Sequence, residues 1–202
     1  MKLIEKGFFK RNKKIIIVAV VIMLLSAVAG CAISSIYAGD DLKGKVSEGL
    51  FEVSHNKTND VKSGDDVNIN AIELFIHNIT ANLIVIVLGL FFSIFSVLIT
   101  VFNGISIGSI FGVDWTFACV SVLPHAIIEY FAGAIALAAA FLVTKLEIKA
   151  IKNRSIRSTL AESKVELNDL LTFIIIVAVL LAVAAVIEGN ITPFITKSFF
   201  GL

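Results

Sequence analysis

Five long apolar stretches, each near bilayer-spanning length, constrain this chain more than any other feature of its sequence. They run Ile15–Ala38, Asn82–Phe102, Gly104–Leu123, Pro124–Thr144 and Leu170–Ile187. A transmembrane helix needs about 20 mostly apolar residues at about 1.5 Å rise each. Inside hydrocarbon, only helices and closed barrels satisfy every backbone polar group. These stretches are long and show no period-two alternation, so they predict helices rather than barrel strands. The composition agrees. The 202 residues are 57% hydrophobic and 16% charged, whereas soluble domains are roughly 45–50% apolar and about 25% charged. The fold class expected is an all-α, polytopic transmembrane helical bundle of about five spans.

The charge pattern sets the expected orientation. The arm before the first span carries Lys2, Lys6, Lys10, Arg11, Lys13 and Lys14. The segment after the fourth carries Lys145, Lys149, Lys152, Arg154, Arg157 and Lys164. Basic flanks stay on the cytoplasmic side, so both belong inside. Gly39–Leu74 holds eight acidic residues against four basic ones and is expected outside. Five crossings join these assignments, with the N-terminus cytoplasmic and the C-terminus external in the cell membrane. The chain then divides into a basic arm and first helix (1–38), an external polar segment (39–81) and a four-helix membrane core (82–202). That core carries its cytoplasmic basic loop at 145–169. Within the external segment, Leu42–Val53 suits a short helix and Asn56–Asp66 is turn-rich. Asn70–Asn82 has Ile72, Phe75, Ile76 and Ile79 on one helical face. It is expected to lie on the membrane or to dock on the bundle. Ser155–Asn168 reads as a polar, helix-compatible linker.

Val28-Ala29-Gly30-Cys31 after a basic arm resembles a lipoprotein signal cut before Cys31. The apolar run continues through Ile36 and Tyr37, which favours an uncleaved signal anchor. Cys31 and Cys119 show no metal or redox spacing and read as small apolar residues.

Lipid gives helices no hydrophobic reason to associate, so small residues that permit close approach mark the contacts. Gly104, Gly108 and Gly112 form one such stripe, and Ala132, Ala136 and Ala140 another. Ser26, Gly30 and Ser34 form a third. Packing within one chain is their commoner use, and homodimerisation the alternative. Gly112-Val113-Asp114-Trp115 is expected to break the third span or turn it back near Asp114.

Ionisable groups inside spans are functional candidates by default. His125 and Glu129 are one helical turn apart and share a face. With Glu188 and Asn78 they fall at one depth, near the external side. An isolated carboxylate in hydrocarbon is heavily penalised, so His125, Glu129 and Glu188 are expected to meet, with Asn78 close by. The cluster would hold a cation, proton or lipid headgroup, or it would simply pair helix ends. A zinc site is conceivable, although His-x-x-x-Glu lacks the second histidine of the zincin helix. Asn103 and Asp114 are secondary polar positions. No P-loop or nucleophile elbow occurs. The expectation is therefore a protein without enzymatic activity or cofactor.

A family resemblance rests on these same residues. The ordered run His77-Asn78, Gly89, Asn103-Gly104, Gly108, Pro124-His125 and Glu129, closing with Glu188-Gly189-Asn190-Ile191-Thr192-Pro193, resembles the stage II sporulation protein M family over Ile76–Phe194. The chain departs from it at Ala126, usually glycine, and at His77, usually asparagine. The resemblance implies an integral membrane protein of about five helices. The family's sporulation members work in a membrane complex that recruits envelope-remodelling enzymes, and relatives occur widely in bacteria and archaea that do not sporulate. The leading expectation is a scaffold or subunit of a cell-envelope complex. An ion- or proton-coupled transporter or channel, or an outer-leaflet lipid-binding protein, are the alternatives. Expected partners are membrane lipids and membrane proteins or a second copy. The formal charge of +1 gives no reason to expect nucleic acid.

Overall fold

The computed structural model describes residues 7–37 and 64–200. The helix expected over Leu42–Val53, and most of the turn-rich Asn56–Asp66, lie outside the described residues. The described residues form helices α1 (Phe8–Tyr37), α2 (Gly64–Val87), α3 (Ile94–Val113), α4 (Leu123–Asn153), α5 (Ile156–Glu162), α6 (Lys164–Val186) and α7 (Thr192–Phe200). A 3₁₀ turn, Leu88–Phe91, ends α2. A short helical turn, Trp115–Phe117, and a π turn, Ala118–Val122, lead into α4. A second π turn, Ile187–Ile191, joins α6 to α7. Among the described residues, five helical segments are long and apolar enough to cross a membrane: Phe8–Tyr37, Ala71–Phe91, Ile94–Val113, Trp115–Asn153 and Lys164–Phe200. The protein is an all-α, polytopic membrane bundle.

Two expected boundaries are corrected. The second span does not run to Phe102. It ends at a tight turn in which Phe92 and Ser93 both take left-handed backbone, at φ 51° and 56°. Ser93 is the single polar residue in the run Leu90-Phe91-Phe92-Ser93, too little to interrupt an apolar stretch, so the reversal is invisible to an apolar-length argument. It is held instead by α4. The Thr144 hydroxyl donates to the Gly89 carbonyl at 2.7 Å and lies 2.6 Å from the Ser93 hydroxyl. Ser96 then donates to the Val85 carbonyl at 2.7 Å, across the hairpin. Of the two placements expected for the amphipathic stretch Asn70–Asn82, docking on the bundle is the one observed: it lies within α2, with Phe75 and Ile79 against the core, and the second span begins at Ala71 rather than near Asn82.

The break expected near Asp114 is present. Asp114 is extended, and its carboxylate accepts from the Phe117 amide at 2.9 Å. This is an N-cap, which satisfies an otherwise orphaned helical donor. The third span, Ile94–Val113, is complete before Asp114, so the break joins two helices rather than interrupting one.

Contacts between α1 and α3 rise together along both sequences, so the two run parallel. A Cβ built at Gly104 would overlap the Ser26 hydroxyl, and one at Gly108 would overlap the Ala27 carbonyl. At Gly112 it would strike the Ser34 side chain and the Cys31 carbonyl. The glycine stripe is therefore spent within the chain, on the serine and glycine face of α1. Cys31 lies in the last third of α1, within the stretch that packs on α3. The alanine stripe faces inward: Ala132, Ala136 and Ala140 are fully buried on α4, beside Leu137, Phe173, Val177 and Leu181. Short side chains there let α1, α2 and α6 all approach α4.

At the opposite end from Asp114, Asp169 anchors the start of α1. Its carboxylate, 2% exposed, accepts from Arg11 Nη2 at 2.6 Å and Nε at 3.0 Å, and from Asn12 Nδ2 at 2.8 Å. Phe8 stacks edge-on against Phe173 beside this clamp, with centroids 4.8 Å apart.

Gly108→Leu tests the α1–α3 seam. The added side chain meets backbone that cannot move aside, so the expected loss is about 1–3 kcal/mol, read as a lower melting temperature in detergent. Asn103→Ala, on the exposed face of α3, should stay within about 0.5 kcal/mol of wild type.

Candidate functional site

The chain has two prolines, and each follows a π turn. Proline lacks an N–H, and its ring collides with the carbonyl four residues earlier. For Pro124 and Pro193 that carbonyl belongs to Val120 and Gly189, both inside π turns. The wider turns relieve the collision. They also re-aim the side chains that follow, and π turns inside helices are often found at functional sites.

Between these turns the polar side chains gather. His125 and Glu129 project from α4, and Glu188 from the second π turn. Ligand-capable atoms of all three lie within 4.8 Å of one another, and each residue is half-buried. From α2, Asn78 Nδ2 donates a short hydrogen bond to Glu129 Oε1. His125 Nδ1 lies 3.3 Å from the Thr192 hydroxyl. One turn further out, the Thr196 hydroxyl donates to the buried Ser121 hydroxyl at 3.0 Å. Residues from α2, α4 and the C-terminal turn are thus fixed against one another by two rungs and one cross-helix bond. Gly189 helps to bring them together: a Cβ there would stand 3.2 Å from the Ala71 Cβ, so glycine lets this turn close on α2.

A family model described as Stage II sporulation protein M matches residues 16–193, most of the chain. The chain belongs to this family. No curated protein and no solved structure matches it. The family match spans all four polar positions, Asn78, His125, Glu129 and Glu188. In this stage II sporulation protein M family member, a multi-pass membrane protein, they come from sites up to 110 residues apart and share one end of the bundle.

The secondary positions serve elsewhere. Asp114 caps the turn before α4, and Asn103 faces outward from α3. Gly189 and Thr192 stand in the sequence only as part of the closing Glu188–Pro193 motif, without a site role, and nothing in the sequence singles out Ser121. On the opposite face of α4, Tyr130 donates a short hydrogen bond to the Met23 carbonyl of α1. An apolar groove of about 360 Å³ opens beside it, between α1, α3 and α4.

The Asn78–Glu129 bond crosses helices and carries charge, so it can be isolated by a double-mutant cycle. Asn78→Ala and Glu129→Ala should couple by about 1–2 kcal/mol in unfolding free energy, the lower part of the range for charged hydrogen bonds because both groups are half-buried.

Proposed function

We propose that this family member is a non-enzymatic scaffold, or a subunit of a cell-envelope complex, in the cell membrane. One observation carries the choice over transport. Below the polar cluster, Ala132, Ala136, Leu137, Ala139, Ala140, Phe173, Val177 and Leu181 are all 0% exposed. The interior between the cluster and the Asp169 clamp is therefore filled by close-packed apolar side chains. An ion passing there would lose its hydration without replacement, at a penalty far above thermal energy. A packed interior suits a body that holds partners rather than one that conducts. Family membership supports the same reading, because the family's name ties it to a stage of sporulation. Membrane lipids, other membrane proteins or a second copy are the partners proposed. The groove beside Tyr130, apolar throughout, supports lipid contact.

The proposed orientation places the N-terminus in the cytoplasm and the C-terminus outside. Parallel pairing of α1 with α3, and of α2 with α4, fits successive crossings in alternating direction, and the five candidate spans among the described residues supply the odd number. The twelve basic residues of the arm and the 145–164 segment support its sense. Single cysteines placed at residues 57–66 should label from outside intact cells, in a background where Cys31 and Cys119 are serine. A cysteine at Asn153 should label only after permeabilisation. The reverse pattern would discard this orientation.

Purified protein in liposomes should show proton and monovalent-cation flux no greater than protein-free liposomes. A flux abolished by Glu129→Gln would replace the scaffold with a transporter.

A further inference from the structure

We propose that His125, Glu129 and Glu188 bind a divalent transition-metal ion of the zinc type. The donor set is one imidazole and two carboxylates. Imidazole and carboxylate together suit zinc and its neighbours. Calcium and magnesium prefer six or more oxygen ligands and are poorly served by three protein donors, one of them nitrogen. The three donors already lie within 4.8 Å of one another. In a tetrahedral zinc site with bonds of about 2.0–2.1 Å, donors stand about 3.3–3.5 Å apart. The largest difference to be closed is about 1.5 Å, within the reach of side-chain rotation.

Three further observations converge on the same group. The first is orientation from outside the trio. With its proton on Nδ1, His125 donates to Thr192 and presents the Nε2 lone pair; Asn78 fixes one oxygen of Glu129. Metal ligands are commonly oriented by such outer hydrogen bonds. The second is charge. Two carboxylates gathered at the end of a membrane bundle are costly to hold together, and one divalent cation cancels both. The third is backbone. Glu188 lies in a π turn and His125 begins the helix just after the other one. Three protein donors leave one tetrahedral position for an exogenous oxygen ligand, such as water or a carboxylate or phosphate of a partner. A bound ion would tie α4 to the C-terminal turn independently of the apolar core. The inference stands apart from the scaffold reading, since a scaffold with or without the metal is self-consistent.

The test uses the full chain in mild detergent, stripped with a chelator, loaded with zinc chloride and desalted. About one zinc per chain should be retained, and zinc should raise the melting temperature. Glu188→Gln should weaken zinc binding at least about tenfold and remove the thermal shift, whereas His77→Ala, exposed on α2, should behave as wild type. Wild-type protein that retains no zinc would overturn the proposal. So would unchanged binding in Glu188→Gln, or binding lost in His77→Ala. Should Glu188→Gln fail to fold, X-ray absorption on the zinc-loaded wild type decides. A first shell of nitrogen and oxygen with a single imidazole is expected. Sulfur scattering, which would place the ion at Cys31 or Cys119, rejects the site.

Discussion

In a bilayer, helices gain nothing by hiding apolar side chains from one another, because lipid tails are equally apolar. What remains is close contact: dispersion between surfaces that fit, and the few polar bonds that fit allows. This bundle depends on that constraint at α4. Its alanine face brings three neighbours to the helix surface, and Gly89 on the adjoining 3₁₀ turn packs backbone to backbone on Ala140. The α1–α3 seam works the same way, glycine against serine and alanine. Larger residues at these positions would separate the helices. The Asn78–Glu129 and Tyr130–Met23 bonds would then lengthen beyond reach.

Among the described residues, the charged side chains that meet inside the bundle are kept to its two ends. At one, Asp169 gathers Arg11 and Asn12; at the other, His125, Glu129 and Glu188 meet beneath Thr192 and Asn78. Between them lies an interior without a continuous polar lining. The division follows from the price of desolvation: a paired or hydrogen-bonded charge is tolerable near the interface and much less so at mid-depth. The clamp at Asp169 also ties the start of the first span to the start of the last, across 158 residues of sequence.

The number of spans, the packing stripes and the one-turn spacing of His125 and Glu129 were legible in the sequence because each is local. Apolar length and residue size report directly on what lipid demands. Chain reversal at Phe92–Ser93 was not legible, because it occurs in apolar residues and is stabilised by Thr144, some fifty residues on. Asp114 was legible as a disruption but not as a cap, since capping depends on where the next helix starts. Asp169 was read as the edge of a polar linker, and Arg11 only as a topogenic charge. Their bond needs the tertiary fold to exist. Proximity of Glu188 to His125 could be argued from the penalty for isolated charge, whereas the π turns that aim both residues follow from prolines whose significance appears only with the backbone.

The α1–α3 seam also sets a schedule. The Ser109 hydroxyl sits 3.4 Å from the Gly30 carbonyl, from 79 residues further along the chain. Synthesis at about 5–20 residues per second delivers that partner about 4–16 s later. The clamp at Asp169 is separated from Arg11 by 158 residues and follows about 8–32 s after it. During that interval the first helix rests in the bilayer with its serine and glycine groove open to any neighbour that can fill it. A contact between helices 79 residues apart is therefore open to other partners, insertion factors or sister chains, while the protein is being made.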